Sequence, residues 1–350
     1  MQVLENPILT KVYMLNNIIQ FLECRLLCLI FGFVMLIFSG CSVFNNQAPI
    51  YSDRQEVFNN VLKVQADSQK GFDWPFYVYV PEAVSSQSKS VILVEPLSDG
   101  KANDDFGFHD KAAFQLIENR KFIADKLGTP LIIPVFHRKK DNYYTHALGR
   151  NVMLRRYGQF NRLDLQLLAM VDDLRSKLSD RNINTYDSIL MMGFSSSGMF
   201  TNRFVIMHPE RIIAASIGSP GGWPMVPIAE WNNIQLTYPV GVGDFEMIID
   251  KPFNLETFKK IPQFFYIGSE DNNDSVPYSD SYEPQERQIV MNLFGKTPIS
   301  RWPRAKHIYE NVAPGSTFVT YSGIGHSSKY MRDDVVAFLE RELKNFLAGN

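Results

Sequence analysis

The chain has 350 residues with 35 Lys+Arg against 37 Asp+Glu, a formal net charge of −2, and is 45% hydrophobic. That balance provides enough apolar side chains for one large buried core and leaves no electrostatic footprint for nucleic acid or another polyanion. There is no run of like charges and no internal repeat.

Residues 1–40 differ from the rest. Leu26 to Phe38 is an uncharged apolar run preceded by Arg25 and followed by Ser39, Gly40, Cys41 and Ser42. A helix of that length covers about 20 Å, short of the roughly 30 Å hydrocarbon core of a bilayer, so it reads as the apolar region of an export signal. Retention as an uncleaved anchor is the alternative. Small residues directly before Cys41 resemble a bacterial lipoprotein box, with Cys41 as the lipidated residue, although Phe38 stands where that motif usually has leucine. The reading predicts an exported, envelope-localised protein tethered to a membrane through an N-terminal lipid. Cys24, Cys28 and Cys41 are the only cysteines. The body therefore offers no disulfide, no cysteine-based metal site and no cysteine nucleophile.

Residues 41–53 read as a polar tether, and 54–350 as one domain. In chain order, strands are expected at Phe76 to Val80 and Val91 to Val94, a helix from Lys111 to Leu127, and a strand from Leu131 to Phe136. The helix from Arg162 to Leu178 places Leu167, Val171, Leu174 and Leu178 on one face. Short apolar strands follow at Ser188 to Met192, Ile212 to Ile217, Gln263 to Ile267 and Thr317 to Tyr321. A last helix presents Val336, Leu339, Leu343 and Phe346. Strands separated by helices predict an α/β domain with a mostly parallel central sheet and helices on both faces. The less regular stretch at about 223–262 reads as an insertion at one edge of the sheet, placed either as a lid over a site or as a surface excursion.

The segment Gly193-Phe194-Ser195-Ser196-Ser197-Gly198 follows one of these strands and opens a helix. An exposed serine on a sharp strand-to-helix turn needs small residues two before and two after it. Only Ser195, between Gly193 and Ser197, meets that demand; Ser196 puts Phe194 and Ser197 puts Met199 in a tight position. Taken alone, such a turn is most simply a helix cap. A nucleophilic serine also needs a base and a carboxylate to orient it. Gly268 to Asp274 follows one later strand, and Gly325-His326 follows the last. Acid and histidine thus fall at strand carboxyl ends, where open parallel sheets place their sites.

On these motifs, the chain from about Phe76 to Leu347 resembles the α/β-hydrolase superfamily, and among its branches the extracellular polyester-depolymerase and feruloyl-esterase-like members. The resemblance implies Ser195 as nucleophile, His326 as general base and acid, and Asp271 as orienting carboxylate, with Asp274 as a rival acid. The loop Glu95-Pro96-Leu97-Ser98 replaces the His-Gly-Gly-Gly of many esterases. Proline cannot donate, which leaves the Ser196 N–H and the Leu97 N–H as the expected oxyanion donors, with Ser98 next. The implied activity is ester hydrolysis through an acyl-enzyme on a small or polymeric ester, with no cofactor and no metal. A serine peptidase, or a non-catalytic envelope lipoprotein using the fold for binding, are the alternatives.

Tyr144, His146 and Arg150 lie on a connection at the same sheet edge and, with Trp223, are candidates for a substrate pocket. The stretch His137 to Asp141 reads as a solvated loop, His208 as a helix terminus, and the Asp271, Asn273, Asp274 cluster as an Asx-rich turn in preference to a calcium loop.

Overall fold

The computed structural model describes residues 56–58 and 60–350, apart from 86–87, 98–100, 143–144 and 279–280. The leader, the tether, Cys41, Ser98 and Tyr144 lie outside the described residues. From Arg54 onward the chain forms one compact unit. Among the described residues, no helix is long and apolar enough to cross a membrane.

The strands are β1 (Glu56–Phe58), β2 (Val61–Val64), β3 (Phe76–Tyr79), β4 (Ser90–Val94), β5 (Leu131–Pro134), β6 (Thr185–Phe194), β7 (Ile212–Gly218), β8 (Glu230–Trp231), β9 (Ile234–Gln235), β10 (Gln263–Gly268) and β11 (Ser316–Tyr321). Nine of them form one sheet in the order β1-β2-β3-β5-β4-β6-β7-β10-β11, and β8 and β9 make a separate ribbon. From β5 to β11 the neighbours are parallel. The β1, β2 and β3 edge is antiparallel, and β1 and β2 were not expected from the sequence. Asn60, with φ 66°, turns the chain between them.

The main helices are α1 (Phe106–Leu127), α2 (Leu163–Ser179), α3 (Ser196–Met207), α4 (Pro284–Leu293), α5 (Pro298–Val312) and α6 (Arg332–Ala348). Alternation along β4 shows why two layers are needed. Val91 and Leu93 join a core with α1 and α6, while Ile92 and Val94 join a second core with α2, α3 and α5. Successive strand side chains point to opposite faces, so a strand apolar at every position must be covered twice. Leu167, Val171, Leu174 and Leu178 are buried in one core, and Val336, Leu339 and Leu343 in the other. The segment from Trp223 to Pro262 is no loose excursion: Trp223, Met225, Leu236, Tyr238, Phe245 and Phe258 are all buried in the second core, with α2, α3 and α5.

His208 does follow the last residue of a helix, and its ring has a definite partner. Its Nε2 lies 2.9 Å from Oδ2 of the fully buried Asp164 on α2. Arg162 grips the same carboxylate through Nε at 2.9 Å and Nη2 at 2.8 Å. Burial alone would push the Asp164 carboxyl up, but hydrogen bonds from His208 and Arg162 hold it well below the usual range. A depressed carboxylate contributes stability that is present above its unfolded value, about 3.9, and is lost as pH falls through the folded value. Asp164→Asn is therefore expected to lower stability at pH 7 by about 2 kcal/mol and to flatten the decline below pH ~4. Urea midpoints at pH 7 and pH 2 measure both effects.

Candidate active site

The chain builds β4, crosses to β5 on one side, and then places β6 on the other side of β4. Strand order reverses there, opening a crevice beyond the carboxyl ends of β4 and β6. Val94 of β4 is in register with Met191 of β6, so Leu97 and the start of the serine cluster leave the sheet side by side.

Ser195 has φ 61° and ψ −122°, a conformation that strains any residue with a Cβ. Its neighbours explain how the turn is held. A Cβ on Gly193 would lie 2.2 Å from the Ser197 carbonyl oxygen, and one on Gly198 would lie 2.4 Å from that of Gly218. The Ser197 hydroxyl closes the turn, accepting from the Phe194 N–H and donating to the Phe194 carbonyl, both at 2.9 Å. Ser197 therefore shapes the elbow from within and is buried. Gly198, displaced by one residue from the usual motif, lets α3 lie against β7. Ser195 occupies the N-cap of α3, yet its side chain makes no cap hydrogen bond. The cap expected of a serine-rich turn is absent because the hydroxyl points elsewhere.

Ser195 Oγ lies 2.9 Å from His326 Nε2. His326 Nδ1 lies 2.9 Å from Oδ2 and 3.1 Å from Oδ1 of Asp271. The Asp271 side chain is almost wholly buried and that of His326 is 26% exposed, so the carboxylate is shielded and the ring reaches solvent. Burial pushes the Asp271 carboxyl up, but hydrogen bonds led by His326, with the Asn273 backbone N–H at 3.0 Å among them, outweigh it and hold the group below its ordinary value. The loops are tied together by main chain: Ser195 N–H donates to the Gly218 carbonyl and Glu270 N–H to that of Ile324, both at 2.9 Å. The Phe194 ring packs on the His326 ring with centroids 4.7 Å apart.

Asp274 goes elsewhere. Its Oδ1 sits 2.7 Å from Nη1 of the fully buried Arg301, which also donates to the carbonyls of Gly295 and Gly222. A carboxylate committed to a buried guanidinium is not available to orient His326.

Leu97 follows Glu95, which is buried and gripped by Arg120 through Nε at 2.6 Å and Nη2 at 3.0 Å. That fork anchors the start of the loop carrying Leu97. Ser196 is the first residue of α3, so its N–H lies in the first turn, at the positive end of the helix dipole. His146 is buried and lines a small recess with Pro96, Leu97, Phe136, Arg138 and Phe200. Arg150 and Trp223 correct the pocket expectation. Arg150 is paired with Asp244 at 2.6 Å and donates to the Tyr238 carbonyl at 3.0 Å, so its charge is neutralised within the fold. Trp223 is buried, stacked on Phe294 at 4.1 Å, and donates from Nε1 to the Val240 carbonyl. The loop after β5 is also less solvated than expected: His137 and Arg138 are buried, and His137 Nε2 lies 2.9 Å from the Asn103 carbonyl.

The sequence reading missed the Asn273 side chain, whose Nδ2 lies 2.9 Å from His326 Nε2. Its place in a polar turn gave no signal apart from its neighbours.

No family model matches the chain, and no curated protein matches it in sequence. Solved structures do. Poly(aspartic acid) hydrolase-1 from Sphingomonas sp. KT-1 is 17% identical with a TM-score of 0.52, over 76% of this chain and 94% of that one. LpqC, a poly(3-hydroxybutyrate) depolymerase from Bordetella parapertussis, is 16% identical with a TM-score of 0.53, over 81% and 89%. At such identities the likeness is one of architecture, and it agrees with the sheet order, the elbow and the crevice: the chain has the α/β-hydrolase fold.

Proposed function

We propose that the chain is a serine hydrolase of carboxylic esters that works through an acyl-enzyme on Ser195. The observation that carries this reading is the continuous hydrogen-bonded path from Ser195 Oγ through the His326 ring to the buried Asp271 carboxylate. In this mechanism Ser195 Oγ bonds the ester carbonyl carbon while its proton passes to His326 Nε2. Asp271 fixes the tautomer with Nδ1 protonated and stabilises the imidazolium. The Ser196 and Leu97 N–H groups receive the oxyanion. The carbon–oxygen bond to the leaving group then breaks and that oxygen takes the Nε2 proton. Water repeats the sequence on the acyl-enzyme, giving its proton to Nε2, and Ser195 recovers a proton as the acid leaves. The named activity of one fold neighbour, a poly(3-hydroxybutyrate) depolymerase, supports a polymeric ester as substrate, whereas the polymer named for the other, poly(aspartic acid), is joined by amide bonds.

A fluorophosphonate probe followed by peptide mapping tests the reading. Adduct on Ser195 that is lost in Ser195→Ala supports it, and folded protein that takes no label refutes it. Turnover of aryl esters of graded acyl length, with an amide control, separates esterase from peptidase.

The reading includes export and a lipid tether at Cys41, supported by the apolar run from Leu26 to Phe38 and the small residues before the cysteine. Cys41→Ser is expected to shift the protein from the membrane pellet to the soluble fraction on cell fractionation.

A further inference from the structure

The Asn273 carboxamide touches the atom through which both proton transfers would pass. Its backbone N–H donates to Asp271 Oδ1 at 3.0 Å, and its side-chain Nδ2 lies 2.9 Å from His326 Nε2. Ser195 Oγ approaches the same nitrogen at 2.9 Å. The orientation of the amide follows from the ring. With Nδ1 facing the Asp271 carboxylate, Nδ1 carries the proton and Nε2 presents a lone pair, toward which an amide oxygen would be repelled and an N–H attracted. Two donors therefore converge on one acceptor, and only one of them leaves when the serine proton is transferred.

Once Nε2 holds that proton it can no longer accept, and the Asn273 N–H loses its partner. At that moment the leaving-group oxygen must come within hydrogen-bond reach of Nε2 to collect the proton. With its nitrogen 2.9 Å from Nε2, the amide N–H is then within reach of the same oxygen, on the exposed side of the ring. We propose that Asn273 is a catalytic residue that passes its hydrogen bond from His326 Nε2 to the leaving-group oxygen as the carbon–oxygen bond breaks. The inference rests on the ester-hydrolase reading and deepens it. It adds a donor for departing alcohols, which matters most for leaving groups that are poor as free alkoxides. No proton is transferred by Asn273: the oxygen takes its proton from Nε2, and the amide stabilises the charge that develops before it arrives.

The consequence is a dependence on leaving-group basicity. The probes are p-nitrophenyl acetate, whose leaving group departs readily as the anion, and ethyl acetate, whose alkoxide does not. For Asn273→Ala, the loss in kcat/KM on ethyl acetate is expected to exceed that on p-nitrophenyl acetate by about 10- to 100-fold, the range of one hydrogen bond to a charged acceptor. Asn273→Leu, close in shape and without a donor or a charge, is expected to show the same imbalance and covers the case in which the alanine variant fails to fold. Equal losses on both esters would assign Asn273 to holding His326 in place and overturn the inference, as would no loss on either. Wild-type protein that hydrolyses both esters and takes fluorophosphonate on Ser195 keeps the ester-hydrolase reading intact in those cases. Wild-type protein that does neither overturns both.

Discussion

Replacing Ser195 with alanine is expected to cut kcat on an aryl ester by about 10⁴- to 10⁶-fold, with the residual rate coming from the oxyanion donors and binding. The geometry makes this a clean substitution. The hydroxyl is not spent on capping α3, and its hydrogen bond is to His326, so its removal disturbs neither the helix nor the turn held by Ser197. His326→Ala is expected to lose a similar factor, and the double variant scarcely more, because the two groups act in one proton transfer. Steady-state turnover of p-nitrophenyl acetate checks the singles and the double. Neighbouring Ser196 contributes its backbone to the proposed site, so Ser196→Ala is expected to keep most of the activity.

Asp271 and Asp274, three residues apart, are expected to fail in opposite ways. Asp271→Asn leaves the shape of the site but removes the acceptor that keeps the Nδ1 proton in place, and kcat is expected to fall by about 10⁴-fold with the folded state retained. Asp274→Ala leaves the Arg301 guanidinium, which is wholly buried, without its counter-charge, at a cost of about 3–5 kcal/mol in stability. Its kcat, measured at a temperature where the variant is folded, is expected to stay near that of the wild type. Denaturant midpoints and kcat for each variant decide the pair. An Asp274 variant that is stable and inactive would reverse the assignment.

The steric rule at the elbow was legible because it is local: Gly193 and Ser197 flank Ser195, and the backbone there allows little else. The same holds for the parallel strands, whose short apolar runs ending in turn residues gave their positions to within a few residues. What stayed hidden depends on partners distant in sequence. Arg150 looked like a pocket residue by its place on the right edge of the sheet, and only the fold brings Asp244 to it. Asp274 matched the loop position nearly as well as Asp271 did, and only the fold brings the Arg301 guanidinium of α5 to it. β1 and β2 are short and antiparallel, and they gave no helix-separated pattern to read. Trp223 to Pro262 looked irregular because it is: it packs through scattered large side chains, not through a period.

His326 follows the end of β11, and among the described residues β11 is an edge strand paired only with β10. Edge elements open locally at lower free energy than strands at the centre of a sheet. Fraying of this one strand would draw the imidazole away from Ser195 while β4, β6 and β7 stay closed between two cores. Parting of His326 from Ser195 and loss of the fold are thus separable events in this molecule, with the first set at an edge of the sheet and the second by its middle.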